Sequence, residues 1–269
     1  MREAVLPRLP DALPEGAALA RVLARFEALA VAVSGGVDSL TLATFAHRHG
    51  VPLTVIHAVS PAVPAEATAR VRALAAAEGW DLVVTGTGEF DDPRYRDNPV
   101  DRCYFCKTNL YDRIAGLTAR PIASGANLDD LGDYRPGLTA AAERRVVHPM
   151  IEAGMTKADV RALARALGLP DIAELPAQPC LASRVETGIA IDAADLAFVE
   201  TAERRLAALL GGGTLRCRIT REGVVVELDE ALMGEAPGVA ALMTELCAGE
   251  ARSFAGTRAY RRGAMFVRS

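Results

Sequence analysis

The chain has 269 residues, of which 51% are hydrophobic and 24% charged, with a formal net charge of −4. That length supports one large core or two smaller ones, and two domains are expected. The acidic balance offers a polyanion no overall attraction, so bulk nucleic-acid binding is not expected.

The first sixteen residues mix Arg2, Glu3, Arg8, Asp11 and Glu15 with prolines, which leaves no apolar core for a secretory signal. No stretch is apolar for long enough to cross a bilayer. A cytoplasmic protein is expected, in which Cys103, Cys106, Cys180, Cys217 and Cys247 are thiols, metal ligands or redox groups rather than structural disulfides. Lys107 and Lys157 are the only lysines, a compositional feature from which no function follows.

Residues 28–34 read as a buried strand, apolar on both faces and stopped by two glycines. A helix should follow from Asp38 to about Arg48, closed by Gly50. Strand 51–59, helix 65–78 ended by Gly79, and strands 82–85 and 121–124 continue the alternation. This predicts a parallel sheet with helices on both faces. Thr156 with Asp159 forms a capping-box pattern before the apolar spacing Val160, Leu163, Ala164 and Leu167, which predicts a helix ending at Gly168. Pro170, Pro176 and Pro179 then predict an irregular loop. A helix over 193–210, short strands over 215–220 and 223–228, a helix near 239–248 and a strand-like tail predict a small α+β domain. The expected organisation is an α/β domain over 1–188 and the small α+β domain over 189–269.

Ser34-Gly35-Gly36-Val37-Asp38-Ser39 sits where a strand ends and a helix begins, the edge at which an α/β sheet binds ligands. Its glycines let the backbone approach a phosphate, and the helix amides and dipole favour negative charge. Ser34 and Ser39 add hydroxyl donors, and Asp38 suits the magnesium ion that accompanies a polyphosphate. The lysine and spacing of a Walker A loop are missing, which implies a different cleavage of the nucleotide. An ordinary tight turn is the bland alternative. The hexapeptide resembles the signature of the PP-loop ATP pyrophosphatases, and that resemblance implies a Rossmann-like adenine nucleotide α-hydrolase sheet and cleavage of ATP to AMP and pyrophosphate.

Asp101 reads as the N-cap of a helix on which Cys103, Cys106, Leu110 and Ile114 share a stripe. A thiol in a first helical turn favours the thiolate. The pair fits half a zinc site, a redox couple, part of an iron–sulfur cluster, or plain core. Cys180 stands in a proline-broken loop with Arg184 close behind, a cation suited to a thiolate or a phosphate. With no second CxxC and no nearby histidine, a closed zinc site is hard to assemble. Three thiolates instead suit three irons of a cubane and leave the fourth open to carry sulfide. Cys217 and Cys247 lie in apolar stretches and read as core.

The segment from Ser124 to Gly137 follows another strand and should line the same sheet edge as the glycine loop. Asp129, Asp130 and Asp133 offer carboxylates to magnesium, and Arg135 offers a cation to a phosphate; a solvated turn is the alternative. Arg216 and Arg218 alternate along a strand, which puts both guanidinium groups on one face, suited to a phosphate or carboxylate, or simply exposed.

Together SGGVDS at 34–39, NPVDRCYFCKTNLYD at 98–112, GANLDDLGDYRPG at 125–137, EAGMTKADVRALARALGLP at 152–170 and PCLASR at 179–184 resemble the LarE-type ATP-dependent sulfur transferases. AYRRG at 259–263 is a weaker match. Leu175, Glu186 with Thr187, and Ser124 depart from the family's usual residues. The resemblance implies an enzyme that adenylates carboxylates of a pyridinium dicarboxylate mononucleotide and exchanges the activated oxygen for sulfur, on the way to a nickel-pincer cofactor. It implies ATP and Mg2+ on Ser34, Gly35, Gly36, Asp38 and Ser39. Arg216, Arg218, Asp130, Asp133 and Arg135 are then expected to hold substrate. Cys180, Asp38 and Arg184 are expected to serve the chemistry, and Cys103, Cys106 and Cys180 to ligate a [4Fe-4S] cluster, as in family members with all three cysteines. In members lacking the pair, the cysteine at this position gives up its own sulfur. The expected partners are a small-molecule nucleotide substrate and sulfide or a sulfur-donor system, with no membrane and no nucleic acid; a homo-oligomer is expected. A tRNA-thiolating enzyme and a non-catalytic redox-sensing nucleotide module are the alternatives.

Overall fold

A computed structural model describes residues 14–132 and 135–261 of the chain. They divide into two compact units. One takes the described residues to Glu89 together with Cys103–Gln178, and the other takes Phe90–Arg102 and the described residues from Pro179. The expected division lies between 188 and 189; here Phe90–Arg102 and the residues from Pro179 group together.

In the first unit α1 (Pro14–Leu23) leads into β1 (Leu29–Val33), α2 (Val37–Arg48), β2 (Leu53–Val59), α3 (Ala65–Glu78) and β3 (Leu82–Gly86). Between these, α4 (Pro93–Arg96) belongs to the second unit, and α5 (Arg102–Ala115) crosses the division at its first turn. The first unit continues with β4 (Ile122–Ser124), α6 (Pro136–Glu143), α7 (Pro149–Glu152), α8 (Lys157–Ala166) and α9 (Pro170–Ala173). The strands form a four-stranded parallel sheet in the order β3-β2-β1-β4. Its residues alternate between two cores. Leu29, Val31 and Val33 pack with Leu40, Phe45 and Leu163, whereas Ala30 and Ile56 pack with Leu110, Ile114 and Ile122. Burial on both sides is why β1 reads as an unbroken apolar run. The chain is an α/β protein with a Rossmann-like parallel sheet, as expected.

The capping box at α8 is complete. The Thr156 hydroxyl accepts from the Asp159 amide, and the Asp159 carboxylate accepts from the Thr156 amide at 2.8 Å. Several short helices go beyond the sequence reading: α6, α7 and α9 each begin with proline. Pro170 reads as an interruption, yet it occupies the first helical turn, where a missing N–H costs nothing.

The second unit carries α10 (Ala193–Leu210), β5 (Leu215–Thr220), β6 (Gly223–Leu228), α11 (Ala236–Gly249) and β7 (Phe254–Ala259). Its sheet runs β5-β6-β7, antiparallel then parallel, the last connection made through α11. This is the small α+β assembly expected. Among the described residues no helix is long and apolar enough to cross a membrane.

Candidate functional site

The sheet order changes direction around β1, whose neighbours are β2 and β4. Crevices at such a switch point, outside the carboxyl ends of the strands, bind ligands in open α/β sheets. The glycine loop follows β1, and Ser124 closes β4 beside it. Gly35 adopts a φ of +84°, and a Cβ there would lie 2.8 Å from the Ala67 carbonyl oxygen of α3. Glycine is therefore required by both conformation and space. The Ser39 hydroxyl accepts from the Ser34 amide at 3.1 Å and reaches the Gly36 carbonyl oxygen at 3.3 Å, closing the loop onto the first turn of α2. Behind the loop, His57 is fully buried. Its Nδ1 meets the Val33 carbonyl oxygen and its Nε2 the Thr68 hydroxyl, each at 2.9 Å. Burial pushes its pKa down, so the ring is a neutral strut.

Asp38 points from the first turn of α2 at a residue the sequence reading left without a role. Lys157 Nζ donates to both carboxylate oxygens of Asp38, at 2.8 and 2.6 Å. Asn127, nearly fully buried, donates from its side-chain amide to the same carboxylate at 3.1 Å. Two signals mark Lys157 in the sequence: it is one of only two lysines, and Thr156 caps the helix it begins.

Gly125 approaches the glycine-loop helix, and Gly137 approaches the cysteine helix. A Cβ on Gly125 would lie 2.6 Å from the Ser39 amide nitrogen, and one on Gly137 would lie 3.0 Å from the Lys107 side chain and 3.7 Å from the Cys103 carbonyl oxygen. Asp129 Oδ2 accepts from the Lys157 amide at 3.3 Å. Asp130 accepts from the Asn127 amide and pairs with Arg135 at 2.8 Å, so these two expected substrate residues engage each other. Asp133 lies outside the described residues. A Gly125→Ala variant must move the start of α2, because its new methyl meets backbone rather than a flexible side chain. It is expected to raise the ATP dissociation constant by about tenfold or more, measured by calorimetric titration.

In the second unit the turn Leu181–Arg184 follows Cys180, which is exposed. Arg184 is buried. It binds Glu203 through two nitrogens at 3.0 and 2.9 Å and donates to the carbonyl oxygens of Pro179 at 2.6 Å and Cys180 at 3.1 Å. Its guanidinium thus braces the backbone that presents Cys180. Arg218, on β5, is also buried. It pairs with Glu227 at 2.7 Å and donates to the Ser183 carbonyl oxygen at 3.0 Å. Arg216 lies on the same strand face, half-buried over the Tyr260 ring; burial and the Arg184 charge hold its pKa below the ordinary guanidinium value. The arginine face is therefore largely covered, unlike the exposed alternative.

The five cysteines separate by access. Cys103 and Cys106 are half-buried in the first turns of α5 and Cys180 is exposed, whereas Cys217 and Cys247 are buried. Burial pushes both buried thiols up in pKa, which keeps them protonated. Three accessible thiols match the donor chemistry of an iron–sulfur cluster. Among the described residues, no three His, Cys, Asp or Glu side chains group so as to hold a metal.

No family model matches the chain. An uncharacterized protein of Synechocystis sp. is 38% identical over 203 residues, covering 74% of this chain and 75% of its own length. The pyridinium-3,5-bisthiocarboxylic acid mononucleotide synthase of Lactiplantibacillus plantarum is 31% identical over 227 residues, 81% of each chain. An uncharacterized protein of Methanocaldococcus jannaschii is 29% identical over 139 residues, half of this chain.

Proposed function

The chain belongs to the LarE-type sulfur transferase family, and from that premise we propose that it adenylates a carboxylate of a pyridinium dicarboxylate mononucleotide with ATP and replaces the activated oxygen with sulfur. The observation that carries the reading is the segment 125–137, which packs Gly125 on the glycine-loop helix and Gly137 on the cysteine helix. The relative from L. plantarum, whose name describes a bisthiocarboxylic acid mononucleotide, supports the substrate class. Neither a tRNA thiolase nor a redox-sensing module draws support from these relatives.

In this reading Gly35, Gly36 and the first amides of α2 hold the pyrophosphate portion of ATP, with Ser34 and Ser39 shaping the loop. Asp38 would hold magnesium. Its carboxylate already carries a cation, the Lys157 ammonium, so the donor fits a positive partner. Magnesium there would offset the charge of the phosphates, and the Lys157 ammonium would then be free to face them as well. Asp129, Asp130 and Asp133 are further candidate partners for the metal. A substrate carboxylate oxygen attacks the α-phosphorus, the bond to the bridging oxygen breaks, and pyrophosphate departs. Arg216, half-buried on β5, would hold the substrate phosphate, while Arg218 braces the turn after Cys180 through the Ser183 carbonyl oxygen.

Sulfur then attacks the acyl carbon and the bond to AMP breaks, leaving a thiocarboxylate. If the sulfur is that of Cys180, attack gives a thioester. Loss of its Cα proton and cleavage of its Cβ–S bond then release the thiocarboxylate and leave dehydroalanine, with no external oxidant or reductant. A [4Fe-4S] cluster held by Cys103, Cys106 and Cys180 would instead supply a carried sulfide to the same carbon. Arg184 acts on either route by fixing the backbone of Cys180.

Anaerobic purification followed by turnover tests the assignment. Iron with acid-labile sulfide assigns the three thiols to a cluster, and a colourless protein that loses the mass of one hydrogen sulfide molecule at Cys180 assigns the sulfur to that residue. A colourless protein with Cys180 intact after turnover, or one that releases no pyrophosphate with any pyridinium carboxylate, overturns the reading.

A further inference from the structure

Arg70, on α3, is absent from every motif that points to the reaction, yet it stands between two of them. Its Nη1 donates to the Gly35 carbonyl oxygen at 2.6 Å and to the Gln178 side-chain oxygen at 3.1 Å. One nitrogen thus serves two acceptors 143 residues apart in sequence (178 − 35). The first acceptor belongs to the glycine loop. The second belongs to the stretch that runs into Cys180, two residues and at most about 7 Å of chain further on.

We propose that Arg70 is a positioning residue that couples the pyrophosphate cradle to the segment bearing Cys180. The Gly35 carbonyl and the Gly36 N–H share one peptide plane, and that peptide is trans. In a trans peptide the two groups point in opposite directions, so holding the oxygen from behind aims the N–H forward. Ala67 presses on Gly35 from the same helix, so α3 fixes both the position and the tilt of this plane. A phosphate oxygen that draws on the Gly36 N–H rotates the plane and moves the Gly35 oxygen. The shared nitrogen follows, and its hold on Gln178 changes with it. Loading of the cradle is then felt by the Cys180 segment through two hydrogen bonds. The role rests on the reading of the glycine loop as a pyrophosphate cradle.

The coupling is tested by hydrogen exchange on the full chain, followed over residues 174–184 with and without α,β-methylene ATP and Mg2+. In the unaltered protein nucleotide is expected to slow exchange of this segment by about fivefold, a typical size for coupled sites. Gln178→Leu severs only the outer arm. Gln178 is exposed, so the fold tolerates the change. This variant is expected to bind nucleotide within about threefold of the unaltered protein and to show less than about twofold slowing. Arg70→Met severs both arms, and is expected to lose the slowing and to bind nucleotide about tenfold more weakly. Persistence of the full slowing in Gln178→Leu, or its absence from an unaltered protein that binds nucleotide, overturns the coupling alone. Failure of the unaltered protein to bind nucleotide overturns the cradle reading, and the coupling with it.

Discussion

Cys180→Ala is expected to lower thiocarboxylate formation by about a thousandfold or more while pyrophosphate release with the carboxylate substrate continues. The two half-reactions use different parts of the chain. In the proposed reaction adenylation uses the glycine loop, Asp38 and Lys157, all in the first unit, whereas sulfur delivery uses an accessible thiol. Removing the thiol leaves an acyl adenylate with no sulfur nucleophile, so one pyrophosphate is released as the adenylate forms, and AMP and further pyrophosphate appear only as fast as water or added sulfide discharges it. Cys217→Ser is the contrasting variant. Its thiol is fully buried and held protonated, so transfer is expected to stay within about twofold. The Cys103→Ala variant separates the two sulfur sources: it abolishes transfer if a cluster carries the sulfide and spares the first turnover if Cys180 gives its own. Mass spectrometry of the nucleotide product with a coupled pyrophosphate assay reads all three. Undiminished thiocarboxylate from Cys180→Ala would remove this cysteine from the reaction.

What was legible in the sequence was what local spacing encodes. The strand-glycine-helix transition at 34–39, the Gly79 cap with its left-handed φ and the Thr156–Asp159 box each depend on residues a few positions apart, and each stands where expected. The accessible and buried cysteines also follow the expected division, because flanking apolar residues report burial. Choice of charged partner was not legible. Arg184 reads as a cation available to a thiolate or phosphate, but Glu203 lies 19 residues further on, and only the packing of α10 brings it within 3.0 Å. Arg218 reads as one tine of an exposed fork, but Glu227 on the adjoining strand pairs with it in the core. In both cases a guanidinium binds a carboxylate and a backbone carbonyl together, so the structure gives it a bracing role that no short motif encodes.

The pairing of Asp38 with Lys157 spans 119 residues and leads to the second large expected effect. Lys157→Met and Asp38→Asn are each expected to lower the rate of pyrophosphate release by about a hundredfold to a thousandfold. In the proposed reaction each removes one of the charges arranged around the leaving phosphates. The double variant is expected to be no more than about threefold slower than the worse single variant, because the two residues serve one step. Multiplying effects would mean that they act independently, and the proposed exchange of the ammonium for magnesium on Asp38 would fall. A magnesium titration separates their parts. Asp38→Asn removes the proposed metal ligand and should demand more magnesium for half-maximal rate. Lys157→Met frees the carboxylate from its ammonium and should demand the same or less, with the rate at saturation still depressed. If magnesium restored the Lys157→Met rate in full, the ammonium would be only a placeholder for the metal; if the rate stays low, the ammonium acts on the phosphates once the metal has taken Asp38.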